Sequence, residues 1–322
     1  MNITVLVPTH RRPVDLDRCL DALKEQHRPP DQVIVVCRAD DLETCDLLQH
    51  YPAMGMPIDL VQSHEPGVVA ALNAGLRRAR GDVLAILDDD TAPWPNWLQL
   101  IEQHFRSAPR LGGLGGRDII RARGVSIDGD TSLVGRVSWY GRWIGQAHRG
   151  IGPAREVELL KGCNMSYRRE AIAELWFDGR LRGNGAQWFS DSAFSLAVKR
   201  AGWRVVYDPA VRVDHYLSPR TAGDGRLTTT PTEAYDVAYN ETLVLLEYLS
   251  PLHWPFFLVF GFAVGTRRAP GFLQWVRSSF NGDGHSVDFQ IAAWRGRLDA
   301  WREFRRSRRP TSGKPGLIAL ER

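Results

Sequence analysis

The sequence predicts an α/β fold: a mostly parallel sheet flanked by helices, followed by a helical C-terminal extension. Three observations predict it. Short β-branched runs alternate with helix-spaced leucines through residues 3–105. This βαβα order builds a parallel sheet, because each parallel strand needs a crossover segment to return the chain. The runs are almost continuously apolar, as strands covered on both faces must be. Beyond residue 230 only helical spacing is strong.

Each element has its own signal. Residues 3–7 form the first strand and stop at Pro8. Pro13 suits a first helical turn, where its missing N–H is not needed, and Leu16, Leu20 and Leu23 follow at helical spacing. Residues 32–37 are the second strand, 41–51 the second helix and 58–61 the third strand. Residues 67–80 read as a helix with Val68, Ala71, Leu72 and Leu76 on one face. Residues 82–87 are the fourth strand, and 96–105 are helical. From 112 to 158 glycines, arginines and aromatics predict strands and long loops. Residues 161–169 predict a strand or turn leading to a helix near Ala171. Residues 191–201 are helical and stop at Gly202, which tolerates the left-handed backbone of a helix end. Residues 203–207 and 211–213 predict two short strands. Residues 233–249, a broken apolar stretch to Gly265, and 287–306 are helical. The chain is thus read as a domain over 1–220 and a helical region over 221–322.

Composition narrows the class. Of 322 residues, 43% are apolar and 24% charged, enough for a large core and too apolar for bulk disorder. A net charge of +4 is mild, and no recognition motif accompanies it, so nucleic acid is not an expected partner. Cys19, Cys37, Cys45 and Cys163 lack zinc-site spacing and read as reduced thiols. No charged leader precedes the first strand, and no apolar run reaches bilayer-spanning length. The expected location is cytoplasmic, or peripheral on the cytoplasmic face of the inner membrane.

The chemistry-bearing residues sit at strand ends. Ligands of open α/β sheets bind beyond the carboxyl ends of the strands. Pro8-Thr9-His10-Arg11, Cys37-Arg38 and Asp88-Asp89-Asp90 all fall there. Adjacent carboxylates after a buried strand repel one another and lose solvation. A hard divalent cation, Mg²⁺ or Mn²⁺, relieves both costs and can bridge to phosphate oxygens. The alternative is a solvated turn capping the next helix, for which Thr91 and Pro93 are suited. The glycines of 111–116 lack dinucleotide-fingerprint spacing, and no Walker A, HExxH or GxSxG pattern occurs.

An ordered set of motifs then carries a resemblance. Val7-Pro8-Thr9-His10-Arg11-Arg12 opens it. Pro66-Gly67, Ala70-Ala71-Leu72-Asn73-Ala74-Gly75-Leu76, Ala79-Arg80-Gly81-Asp82 and Leu87-Asp88-Asp89-Asp90 follow. Gly162-Cys163-Asn164-Met165-Ser166-Tyr167 and the run from Asp191 through Ala201-Gly202-Trp203 complete it. Over about residues 2–216 the chain resembles the GT-A fold glycosyltransferases of family 2. The resemblance implies inverting transfer of a sugar from a nucleotide-diphosphate donor to a hydroxyl of a saccharide or lipid-linked acceptor, as in polysaccharide or glycolipid synthesis. It implies Asp88 and Asp90 as the DXD metal pair and Asp191 as catalytic base. His215 is similar in position to a histidine that completes the metal site in several GT-A enzymes. Expected donor contacts are Pro8, Thr9, His10, Arg11, Arg38, Asp40, Asn73, Asp88 and Asp89. The chemistry asks for such groups: a leaving diphosphate needs charge stabilisation, and inversion needs a base on the opposite face. Asp191 can instead serve a helix N-terminus, and His215 can be an ordinary histidine. The sequence departs from the family at Cys37-Arg38, at Leu72 and at Ser190, which leaves the donor nucleotide open. The competing functions are a nucleotidyltransferase and a catalytically degenerate sugar-nucleotide-binding protein.

The C-terminal region carries one further pattern. Residues 254–262 are apolar and aromatic, followed by Arg267, Arg268, Trp275 and Arg277, and residues 295–309 are arginine-rich with Trp294 and Trp301 nearby. Aromatics beside cations suit an anionic membrane surface. A helical subdomain packed on the core, or a homodimer contact, are the alternatives.

Overall fold

The computed structural model describes residues 1–51, 56, 58–122, 125–126, 129–217, 230–280 and 287–308. The expected boundary at 220/221 and the end of the arginine-rich tail at Arg309 lie outside the described residues. The strands are β1 (Ile3–Pro8), β2 (Gln32–Arg38), β3 (Ile58–Ser63), β4 (Val83–Leu87), β5 (Thr91–Pro93), β6 (Leu111–Ala122), β7 (Val125–Ser126), β8 (Arg136–Val137), β9 (Trp143–Ile144), β10 (Arg155–Glu156), β11 (Asn164–Arg168) and β12 (Arg204–His215). The helices are α1 (Pro13–Lys24), α2 (Leu42–His50), α3 (Val68–Arg78), α4 (Trp97–Ser107), α5 (Ser190–Arg200), α6 (Pro231–Tyr248), α7 (Trp254–Ala263), α8 (Phe272–Phe280) and α9 (Val287–Ser307).

The main sheet runs β10-β12-β6-β11-β4-β1-β2-β3, with β5 added on β12 and β7 on β6. Strands β3, β2, β1 and β4 are mutually parallel, as are β6 and β12. β11 runs against both β4 and β6. The parallel half follows from the side-chain period of two. Val5, Val7, Val33, Val35, Val83 and Ala85 face α1 and α4, while Leu6, Ile34, Val36, Leu84 and Ile86 face α3 and α5. Both sets are apolar, so both faces must be covered.

Three elements differ from expectation. Residues 204–215 are one strand, not two; a register shift between Asp208 and Arg212 breaks the sequence periodicity without ending the strand. Residues 111–122, in the segment expected to hold strands and long loops, form an interior strand. Gly116 is required there, since a Cβ would lie 1.8 Å from the Val211 carbonyl oxygen at the irregularity. Residues 91–93 pair with β12 instead of starting a helix, which sets Thr91 opposite His215. The helix near Ala171 is a single 3₁₀ turn, Glu170–Ile172.

Helices α6, α7 and α9 close on smaller cores of their own. Among the described residues no helix is long and apolar enough to cross a membrane.

Candidate functional site

A cleft of about 660 Å³ opens beyond the carboxyl ends of β1, β2 and β4. That is a usual size for a small-molecule site. Pro8, Thr9, His10, Arg12, Arg38, Asp88, Asp89, Asp191 and His215 line it. Lys161, Gly162 and Cys163 form its floor beside them, and the 182–191 loop with the first turns of α6 supplies the opposite side.

The aspartate triplet divides three ways. Asp88 faces the cleft, while its carbonyl accepts from the Thr91 hydroxyl at 2.7 Å. Asp89 is buried; one carboxylate oxygen accepts from Thr9 Oγ1 at 2.8 Å and the other from Arg12 Nη1 at 3.1 Å. Its side chain therefore anchors the loop after β1 while still lining the cleft. Asp90 turns to His215, with Oδ1 3.2 Å from Nε2, and Arg12 lies 3.7 Å from its other oxygen.

His215 reaches this place through two packing events. The irregularity in β12 is held by Asn164, whose amide donates to the Val211 carbonyl and accepts from the Trp97 indole, both at 2.9 Å. The strand then runs beside residues 118–120 of β6 and against β5. Here His215 meets Asp118, Nδ1 to Oδ2 at 3.1 Å, and Lys161 pairs with the same carboxylate oxygen. Asp118 and Lys161 are functional candidates that the sequence reading missed. Burial opposes ionisation of Asp118, but Lys161 and His215 override it and hold its pKa down to about 2.

These residues fit a divalent cation. Ligand atoms of Asp88, Asp90 and His215 all lie within 4.8 Å of one another. Two carboxylates and an imidazole are a donor set for a borderline-hard ion. The electrostatics agree. Burial pushes Asp89 up to about 7, and Asp90 and Asp88 add to the rise against the pull of Arg12 and Thr9. Burial draws His215 toward neutrality, yet Cys163, Asp118 and Asp90 hold it up to about 12. The His215 shift reflects the acidic groups gathered round the imidazole, whereas the Asp89 shift reflects mainly its burial. With a cation present, an Nδ1–H given to Asp118 leaves Nε2 as the ligand atom, the arrangement that a carboxylate behind a histidine enforces.

Asp191 sits in the first turn of α5, at the cleft. Oδ2 accepts from the Gly162 N–H at 2.9 Å and Oδ1 from the Ser192 N–H at 2.7 Å. Phe189, two residues before it, has φ of 70°, and Arg11 has φ of 54°. Positive φ is costly for residues with a Cβ, and both cases flank the cleft.

Other expected donor contacts divide. His10 lines the cleft, its pKa lowered by burial and Arg38, which favours neutral imidazole. Arg38 lines it too, held by a two-bond pairing with Asp40 at 3.0 and 3.1 Å. Asp40 and Arg11 are exposed and are not among the lining residues. Asn73 is not among the lining residues; its amide donates to the Phe177 carbonyl and accepts from the Phe177 N–H, both at 2.9 Å, so it ties α3 to the chain before α5. The C-terminal region, by contrast, contributes Thr230, Thr232, Glu233 and Asp236 to the lining.

Comparison with known proteins agrees with this geometry. The profile described as Glycosyl transferase family 2 matches residues 4–176, more than half of the chain. The chain is 26% identical over 100 residues to glycosyltransferase AglE of Haloferax volcanii, covering 30% of the chain and 33% of AglE. It is thus matched to only about a third of that relative's length. It is 21% identical over 235 residues to the glucosyl-dolichyl phosphate glucuronosyltransferase of the same organism, covering 67% and 70%. In fold it is similar to mannosyltransferase PcManGT from Pyrobaculum calidifontis, solved in complex with GDP-Man and Mn²⁺. The TM-score is 0.58 at 18% identity, over 95% of this chain and 82% of that one. A mostly parallel sheet, a strand-end cleft and a family match across its N-terminal half lead to one conclusion: the chain belongs to glycosyl transferase family 2, with a GT-A fold.

Proposed function

We propose that the enzyme transfers a sugar, with inversion, from a nucleotide-diphosphate donor to a hydroxyl of a saccharide or lipid-linked acceptor, in polysaccharide or glycolipid synthesis. The observation that carries the reading is the convergence of Asp88, Asp90 and His215 in a cleft that also holds Asp191. When bound, Mg²⁺ or Mn²⁺ between Asp88, Asp90 and His215 offsets the charge that builds on the leaving diphosphate. Pro8, His10 and Arg38 border the donor, and Thr9, Asp89 and Arg12 keep their loop in shape. Asp191 takes the acceptor hydroxyl's proton as that oxygen attacks the anomeric carbon from the face opposite the leaving group. Gly162 and Ser192 fix the orientation of its carboxylate for that task.

The region 1–220 is the catalytic domain in this reading, and 221–322 completes the acceptor side and meets the cytoplasmic face of a membrane. The dolichyl-phosphate-linked substrate in the name of one relative supports a lipid-linked acceptor. A thermal-shift screen of UDP, GDP and dTDP with Mn²⁺ tests the donor half of the proposal. A ligand that binds the native state raises its melting temperature. One nucleotide is expected to raise Tm, and only with the cation present; no response to any of them would favour a catalytically degenerate protein.

A further inference from the structure

The C-terminal helices expose apolar surface of a particular kind. In α7 the buried side is occupied by Phe257 and Gly261, while Trp254 packs edge-on against Trp301 and Phe304. The opposite side faces solvent, with Phe256 52% and Val259 67% exposed, and Leu252, in the 3₁₀ turn just before α7, is 80% exposed. Trp139, itself 55% exposed, stands edge-on to Phe256 with ring centroids 5.0 Å apart, and Tyr140 meets Phe260 at 5.3 Å. Single exposed apolar residues are ordinary, whereas a contiguous group marks an interaction surface. The two segments that supply the patch carry positive charge only. Residues 250–280 and 132–149 contain no Asp or Glu, and Arg142, Arg267 and Arg277 are exposed within them.

The patch is also joined to the cleft. Trp139 and Tyr140 form the turn between β8 and β9. Gly141 seats that turn on α7, where a Cβ would lie 2.9 Å from Phe257 Cβ. Trp143 of β9 stacks on Phe189 at 4.9 Å, and Phe189 lines the cleft two residues before Asp191. One hairpin thus spans the distance from the apolar face to the acceptor side.

We propose that Leu252, Phe256, Val259 and Trp139 form a docking face for an anionic lipid bilayer, with the arginines meeting the headgroups and the hairpin presenting the acceptor side of the cleft to the membrane surface. Apolar side chains beside arginines and interfacial tryptophan are the chemistry that a charged bilayer surface binds. The inference rests on the lipid-linked acceptor reading above, and its test is separate from it.

The triple variant L252S/F256S/V259S removes the apolar contacts without touching the cleft. Sedimentation of the full chain with vesicles of phosphatidylcholine, with and without phosphatidylglycerol, is the measurement. The native chain is expected to bind the phosphatidylglycerol vesicles and the variant to lose at least about tenfold in partitioning. The variant's melting temperature, and its rise with nucleoside diphosphate and Mn²⁺, should match the native chain. Equal partitioning of the two proteins, or no vesicle binding by the native chain, overturns the docking face while leaving the transferase reading intact. A native dimer that the variant converts to monomer also overturns it, because the face is then a contact between copies.

Discussion

The two sides of the cleft are built differently. On the strand-end side charged groups brace one another: Asp89 is held by Thr9 and Arg12, His215 by Asp118, and Asp118 by Lys161. On the helical side aromatic and main-chain contacts predominate, alongside an ion pair, Arg268 to Glu233 at 3.6 Å. Phe189 stacks on Trp143, and Asn240 holds the Arg182 and Trp188 carbonyls at 2.9 and 3.1 Å. Fixed charges act best when prealigned, since reorganising them during reaction is costly. The proposed acceptor side would depend on shape instead.

Substitutions can break or sharpen this contrast. The largest effect is expected at Asp191, where the two sides meet. Asp191→Asn should lower turnover by roughly two to four orders of magnitude while leaving nucleoside diphosphate binding in place. Steady-state kinetics beside calorimetric binding checks this, and unchanged turnover would remove Asp191 as the base. The next effect tests the bracing. Asp118→Ala should weaken Mn²⁺ affinity by about 10–100-fold, with turnover recovering at high Mn²⁺ and Asp118→Asn restoring part of the affinity. A variant that loses turnover equally at all Mn²⁺ concentrations would show that Asp118 does more than position His215.

Asn73→Ala separates a structural tie from a donor contact. It should cost about 1–3 kcal/mol of stability in denaturant melts, because it strands the Phe177 N–H and carbonyl, and leave donor affinity unchanged. A selective loss of donor affinity would return Asn73 to the cleft. Thr9→Val is expected to be mildest, near 0.5–1.5 kcal/mol, since it removes one hydrogen bond to Asp89. Its donor KM should rise while its kcat changes little, as the loop after β1 loosens.

The same contrast explains what was legible in the sequence. The β1–β4 half could be read because each strand is apolar on both faces and each helix repeats its leucines locally. The triplet and Asp191 could be read because motif order places them. Asp118 could not: it lies mid-strand between Arg117 and Ile119, and its partners Lys161 and His215 are brought to it only by β-sheet pairing across long sequence separation. The role of Asn73 was hidden likewise, since Phe177 is 104 residues away. In the C-terminal region composition misled in part. Trp254 reads as surface but is packed, and Arg297, in the arginine-rich run, is buried and donates to the Ala269 carbonyl at 2.6 Å. An apolar helix without clear amphipathic spacing does not announce which face is turned outward.

Asp88, Asp90 and His215 are proposed to hold one cation through which the donor's diphosphate binds. Calorimetric titration of the responding nucleoside diphosphate into the native chain and into His215→Ala, each with and without Mn²⁺, tests it most directly. Tight binding is expected only for the native chain with Mn²⁺, with a large loss in the variant. Equal affinity with and without the cation, or an unaffected His215→Ala, would contradict it.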